Sequence, residues 1–346
     1  MSTRTEDRNS PEVVAGPSLP RSAALPLQAR GSMRHFLHRD LLAPADLVMP
    51  ALVTASDTDS AYSILPTLTL RSVRREAEEL WQVGVRAVKI FAMAQKRKDA
   101  LGSESIDPRN LMMQAIKAFK DSMPEMCVIT ETCLCAYTES GSCTLARPDG
   151  SIDISGTCAT LSEIAVLQAE AGADVIGPAG MIDEGVRAIR QALDASGHSD
   201  VGVMPHLIFE SSLYSLYRQT MKAEPLLGTR RMLQINPSRS DQALQKALRF
   251  VDEGAEMILL EPALPVIDVL ATLRSLVRCP LGVFSVSGEY RLFAQGPGLA
   301  TYDPVLAEFL ISAKRCGADL IVTYAAKEIA RWLGGGEGST LNGPDE

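Results

Sequence analysis

Four times along the chain, a helical pattern ends on a glycine and a short apolar run follows within a few residues. The four glycines stand in the pairs Val83-Gly84, Ala171-Gly172, Glu253-Gly254 and Cys316-Gly317. Glycine suits this place because the residue that closes an α-helix often adopts the left-handed conformation. Helices that alternate with short apolar strands are typical of βα units around a parallel sheet. The repeat therefore predicts an α/β fold.

The number of strands narrows this prediction. Four more apolar runs, at 47–53, 126–129, 201–207 and 281–286, bring the count to eight. Eight strands with intervening helices over roughly 300 residues predict a (βα)8 TIM barrel. A doubly wound dinucleotide-binding sheet is the competing fold, but no Gly-x-Gly-x-x-Gly motif follows the first strand. A ninth run, at 232–235, is assigned to an insertion after strand five.

The two ends of the chain have a different composition from the barrel. Residues 1–32 are rich in Pro, Ser, Ala and Arg without periodicity, which predicts a flexible N-terminal arm. The stretch 334–346 opens on repeated glycines and predicts a flexible tail. The barrel is thereby assigned to residues 33–333.

Composition limits the class of partner. With a net charge of −8 and a pI near 5.2, the chain shows no basic stripe of the kind that binds nucleic acid. No apolar run reaches the ~18 residues that span a membrane, and the start does not resemble a signal peptide. Seven cysteines in 346 residues indicate reduced thiols rather than a disulfide framework. We therefore expect a cytoplasmic protein with a small-molecule partner.

Three of these cysteines follow the strand-like run 126–129. Cys133, Cys135 and Cys143 present three thiols within a short loop. Three protein ligands with one open position are typical of catalytic zinc, since structural zinc has four. The alternative is that they are ordinary buried thiols, which behave as small hydrophobic side chains.

The chain resembles the porphobilinogen synthase family, also called 5-aminolevulinate dehydratase, over about residues 33–333. The resemblance rests on the three cysteines and on four further motifs: 98–103 (KDALGS), 286–290 (VSGEY), Pro178 with Met181 and Asp183, and 321–324 (IVTY). It implies a (βα)8 barrel whose arm wraps a neighbouring subunit, and hence a homo-oligomer. Members condense two molecules of 5-aminolevulinate through two lysines that form imines with the substrate ketones.

Both imine lysines are absent from this chain. The motif Ser-x-Lys-Phe-x-Ser is matched to 207–212, which places Phe209 at the first lysine, and Val-Lys-Pro-Ala is matched to 260–263, which places Glu261 at the second. Neither side chain can form a Schiff base, which needs an amine. Lys89 is the nearest substitute, but a lysine on such a strand is expected to point toward the helices, with its amine in water.

The residues that the resemblance assigns to carboxylate binding are retained. One substrate carboxylate would be held by Ser287 and Tyr324, and the other by Arg218, Arg230 and Gln234, because guanidinium groups bind carboxylates bidentately. Each has a plainer alternative: the arginines as solvated surface charges, Ser287 as a turn residue, and Tyr324 bonded to the backbone. Glu261 and Glu131 are the candidates for proton transfer, although Glu261 also suits a structural salt bridge.

These observations favour a divergent Zn²⁺ enzyme of lyase type. It would condense, cyclise or dehydrate a small amino or keto acid with one or two carboxylates in a specialised biosynthetic pathway, without lysine imines. One alternative is a catalytically silent homologue that binds a ligand or regulates an active synthase. A third, less favoured, is a true 5-aminolevulinate dehydratase of tetrapyrrole biosynthesis. The sequence leaves open a Mg²⁺ site and the choice of metal.

Overall fold

The computed structural model describes residues 41–55, 65–222, 233–293 and 304–334. The predicted arm 1–32, almost all of the predicted tail and Arg230 lie outside the described residues. Within the described ranges, no helix combines the length and the apolar character needed to cross a bilayer.

One parallel sheet forms the centre of the molecule. Its strands are β1 (Leu47–Val53), β2 (Thr67–Leu68), β3 (Ala87–Ala92), β4 (Cys127–Thr130), β7 (Val175–Ile176), β8 (Gly202–Val203), β9 (His206–Ile208), β10 (Ile258–Glu261), β11 (Leu281–Ser285) and β12 (Leu320–Thr323). A separate antiparallel pair consists of β5 (Leu145–Ala146) and β6 (Ile152–Asp153). Most of the sheet is buried on both faces, as expected for a parallel sheet covered by helices.

The sheet closes on itself. Its strands follow the order β8-β7-β4-β3-β1-β12-β11-β10-β9, with β2 paired beside β1. The two ends of this path, β8 and β9, belong to one extended segment around Pro205, which pairs with β7 through β8 and with β10 through β9. The fold is therefore the predicted (βα)8 barrel, with the fifth strand divided into two short parts.

Helices surround the barrel. They are α1 (Val73–Gln82), α2 (Leu111–Ser122), α3 (Ile154–Glu170), α4 (Gly185–Ala195), α5 (Ser215–Thr220), α6 (Ser240–Asp252), α7 (Ile267–Leu276), α8 (Ser287–Phe293), α9 (Pro304–Arg315) and α10 (Ala326–Gly334). The four glycines of the sequence repeat all have a positive φ, between +91° and +111°. Each follows a helix and precedes a strand of the barrel, which confirms the prediction.

Candidate active site

The three predicted metal-binding cysteines converge beyond the carboxyl end of β4. Their Sγ atoms all lie within 4.8 Å of one another, and those of Cys133 and Cys135 are 3.3 Å apart. Cys133 and Cys135 are buried, and Cys143 is half-buried. Among the described residues, no other group of three His, Cys, Asp or Glu side chains brings its ligand atoms together in this way.

The cluster fits a thiophilic cation. Hydrogen bonds to Cys135 and Cys143, together with burial, hold the pKa of the Cys133 thiol well above its usual range. Three crowded thiols can become thiolates together only if a positive charge compensates them. The sulfur separations are compatible with zinc–sulfur bonds of ~2.3 Å, and the cluster faces an open cavity where a further ligand has access.

That cavity brings together nearly all the predicted site residues that the structure describes. It is lined by the three cysteines, Glu131, Glu261, Arg218, Gln234, Ser287 and Tyr324. It opens at the carboxyl ends of the barrel strands, where TIM-barrel enzymes carry their active sites. Sequence reasoning missed His206, Ile208 and Tyr217, which also line it.

Two carboxylates and a histidine form the acidic side of the cavity. Glu261 ends β10, and its Oε1 lies 2.8 Å from His206 Nδ1 on the neighbouring strand β9. Glu131, directly after β4, places its Oε2 3.7 Å from His206 Nε2. His206 therefore lies between the two carboxylates, and a hydrogen bond joins its Nδ1 to Glu261.

Burial sets the protonation of this group. It raises the pKa of Glu261 to about 7, against the opposing charges of Lys89 and Arg218. Burial, and next the charge of Lys89, lowers the pKa of His206 to about 3, so the imidazole is neutral near pH 7. The pKa of Glu131 is also raised, again by burial first. A carboxyl that titrates near neutral pH is suited to general acid–base catalysis.

The placement of Phe209 at the first lysine position is wrong. Ile208 lines the cavity, whereas Phe209 is buried away from it and pairs with Ile235. Matching the motif one residue earlier also aligns Phe209 with its Phe and Ser211 with its final Ser. In this register the resemblance places the two lysine positions at Ile208 and Glu261, which both line the cavity, and neither residue carries an amine.

The expectation for Lys89 is also wrong. Its side chain points into the barrel rather than toward the helices, and it is fully buried. The amine donates to the carbonyl of Thr130 at 2.8 Å and pairs with Glu131 Oε2 at 3.1 Å. It therefore lies beneath the cavity, in contact with a residue that lines it.

The predicted carboxylate-binding residues differ in whether their polar groups already have partners within the protein. The Tyr324 hydroxyl is buried and has no hydrogen-bond partner among the described residues. The Ser287 hydroxyl already has two partners in the segment that follows β9. It accepts from the Tyr217 N–H at 3.1 Å and donates to the Leu213 carbonyl at 3.2 Å. The Arg218 guanidinium lies 5.1 Å from the centre of the Tyr214 ring. Tyr324 is thus the group most clearly suited to a ligand oxygen.

Comparisons with known proteins agree with the resemblance. The family model for delta-aminolevulinic acid dehydratase matches residues 25–332. The enzyme of that name from Bacillus subtilis is 33% identical over 89% of this chain and 96% of its own length. The one from Halalkalibacterium halodurans is 34% identical over 89% and 95%.

A solved structure supports the same relationship. The delta-aminolevulinic acid dehydratase of Toxoplasma gondii, in complex with its product porphobilinogen, superposes with a TM-score of 0.84. It is 28% identical in sequence, and the match covers 94% of this chain and 96% of that one. The barrel of this chain is thus similar to that of a porphobilinogen-forming enzyme along almost its whole length.

Proposed function

The chain belongs to the delta-aminolevulinic acid dehydratase family, and from this we propose a zinc-dependent lyase-type enzyme that works without a protein imine. Its substrate would be a small amino or keto acid with one or two carboxylates. The reaction would be a condensation, a cyclisation or a dehydration. The observation that carries the proposal is Glu261, a buried carboxyl that lines the cavity 2.8 Å from His206, at the place where the resemblance puts an imine lysine.

Metal binding and proton transfer would fall to different residues of the cavity. Cys133, Cys135 and Cys143 would hold the zinc ion, which supplies Lewis-acid activation of a carbonyl or a water when bound. Glu261 would exchange a proton with the substrate, because its pKa lies near neutral pH and His206 shares its hydrogen bond. Glu131, on the other side of His206, is the second candidate for proton transfer.

Substrate carboxylates would be bound at two places. The hydroxyl of Tyr324, which has no hydrogen-bond partner in the described part of the chain, would hold one of them, with Ser287 beside it. Arg218 and Gln234 line the cavity and would hold the other, joined by Arg230, which lies outside the described residues. An arginine at such a place gives a charged hydrogen bond to the carboxylate.

The direct test is to incubate purified, metal-analysed protein with 5-aminolevulinate. Porphobilinogen would be assayed, and any imine trapped with borohydride in the same tube. We expect about one zinc ion per chain, no porphobilinogen and no trapped adduct. Product formation together with a trapped adduct would overturn the imine-free proposal and identify a true dehydratase.

The metal site is tested separately by Cys135→Ser. Because it replaces one of three converging sulfurs, zinc content after desalting should fall from about one per chain to a small fraction of that. Cys316→Ser is the matched control, since Cys316 lies at the end of α9, outside the cavity. Equal zinc content in both variants would remove the basis for a zinc enzyme.

The loss of both lysines also favours a second candidate, a catalytically silent homologue that regulates an active synthase. Such a protein would co-purify with a lysine-containing paralogue from its native host. It would also tolerate Glu261→Gln without any loss of function. The convergence of the three cysteines on the cavity favours the enzyme, because a silent protein has no need of a metal site with an open position.

A further inference from the structure

Lys89 is a buried cation that the proposed function does not use. It lies in the middle of β3, with a fully buried side chain and its Nζ 5.0 Å from the centre of the Phe91 ring. An ammonium group in such surroundings is costly unless it is paired and hydrogen-bonded. Glu131 and the Thr130 carbonyl provide both kinds of partner.

The space for this amine depends on Gly177. A Cβ at position 177 would lie 2.9 Å from Lys89 Nζ, 3.3 Å from His206 Nε2 and 2.3 Å from the Thr130 carbonyl oxygen. The contact with the Thr130 carbonyl is prohibitive for a methyl group, because this oxygen belongs to the backbone of β4, and the other two contacts would force Lys89 and His206 to shift. The glycine therefore leaves room for the ammonium and the imidazole side by side, under the floor of the cavity.

From this geometry we propose that Lys89 is a positioning residue: a fixed cation that orients Glu131 and lets Glu131 and Glu261 share one buried site. Two carboxylates next to one neutral imidazole would otherwise repel each other without compensation. The inference deepens the proposed function and rests on it only for the role of Glu261 in proton transfer. It predicts that Lys89 itself forms no covalent bond with the substrate.

The charges facing Glu261 are defined well enough for a test. They are His206 from β9, Lys89 from β3, Arg218 from α5, Glu289 from α8, and Glu131 and Cys135 from the segment after β4. The hydroxyls of Tyr214 and Tyr324 face it as well. Of these, Lys89 is the charge that lowers the pKa of Glu261 most. Removing it while the others stay should therefore raise the pH at which Glu261 ionises.

The experiment is an infrared pH titration of the full-length, ligand-free protein. The stretching band of the protonated Glu261 carboxyl is assigned by its loss in Glu261→Gln. In Lys89→Met we expect its midpoint to rise by about one pH unit or more. Lys120→Met is the matched control: it removes a lysine that pairs with Asp174 at 3.0 Å in the helix layer, and it should leave the midpoint unchanged.

The outcomes separate this inference from the proposed function. An unchanged midpoint in Lys89→Met, or a borohydride adduct mapped to Lys89 after incubation with 5-aminolevulinate, would overturn the positioning role. If Lys89→Met does not fold, the double variant Lys89→Met/Glu131→Gln removes both members of the pair. It should restore folding, and failure to do so also counts against the proposal. Absence of zinc or of turnover would count only against the proposed function, because the titration needs neither.

Discussion

The hydroxyl of Tyr324 marks a place in the cavity where a ligand oxygen is expected. It is buried, and no described residue accepts from it or donates to it. A buried hydroxyl without a partner costs free energy in the ligand-free protein, and a bound carboxylate would recover that cost. Tyr214 offers a comparison, because its hydroxyl donates to the Phe209 carbonyl at 3.1 Å.

Tyr324→Phe should therefore leave the free energy of unfolding unchanged, or raise it by about 1 kcal/mol, because it removes an unsatisfied polar atom. Tyr214→Phe should lower it by about 1 kcal/mol, because the Phe209 carbonyl loses its donor. Urea denaturation of the ligand-free proteins measures both. Tyr324→Phe should also weaken the binding of 4-oxopentanoate, a keto carboxylate, in calorimetry. An equal loss of stability in the two variants, with unchanged binding, would argue against a ligand role for Tyr324.

At the level of single strands, sequence reasoning located the elements but not the direction of their side chains. In an alternating strand, a shift of one residue exchanges the two faces. Both faces of a barrel strand are buried, so the apolar pattern does not show which residues point inward. For this reason the sequence pattern puts Phe209, instead of Ile208, on the inner face of its strand and points Lys89 toward the helices. His206 was missed because a single histidine carries no spacing signal.

The glycines that join helix to strand could be predicted, because their conformation is local. Gly317 also has a tertiary constraint: an added Cβ would lie 2.6 Å from Arg274 Cγ. The Arg274 guanidinium is held by Asp319 at 2.9 Å and by the Val277 carbonyl at 2.6 Å, so the side chain cannot easily move away. Gly197 has a positive φ of +83° as well, but no atom lies within 4 Å of the place of its Cβ.

Gly197→Ala should cost about 1 kcal/mol of unfolding free energy, which is the backbone strain alone. Gly317→Ala should cost about 3 kcal/mol, because overpacking against Arg274 adds to that strain. Urea denaturation of the two variants gives the difference. Equal costs would show that Arg274 yields to the new methyl group and that the contact with α7 does not constrain this turn.

For the molecule as a whole, the number of strands was sufficient to predict a barrel, and the closed sheet confirms it. The division of the fifth strand could not be predicted, since the run 201–207 is continuously apolar apart from its proline and histidine. Pro205 has no N–H to donate, and its carbonyl accepts from Leu259, while the preceding Met204 donates to Ile176. The segment bonds to both neighbours around the proline, because the Val203 carbonyl accepts from Met257 and the His206 N–H donates to the Pro178 carbonyl. This places His206 between β10 and the segment that follows β7.

Two buried carboxyls should give the whole protein a pH-dependent stability. Burial raises the pKa of Glu261 and of Glu289 to about 7 each, above the value near 4.5 expected in an unfolded chain. Their contribution to stability is fully present below about pH 4.5 and is lost as the pH rises through 7. The effect of His206 on stability has the opposite pH dependence, because burial lowers its pKa to about 3. Its contribution to the free energy of unfolding is fully present above about pH 6.5 and is lost as the pH falls toward 3. Between pH 6.5 and 8, the two carboxyls therefore determine how the free energy of unfolding changes with pH.

We expect the free energy of unfolding to fall between pH 6.5 and 8, by somewhat under about 1 kcal/mol for each of the two carboxyls. Glu261→Gln should remove about half of this decrease, because one titrating proton is lost while Glu289 remains. Glu78→Gln, at an exposed position on α1 that pairs with Arg74, should leave the slope unchanged. Urea denaturation at closely spaced pH values measures the slope in all three proteins. An unchanged slope in Glu261→Gln would mean that Glu261 is already ionised at pH 6.5, and it would then lack the proton that the proposed acid–base role requires.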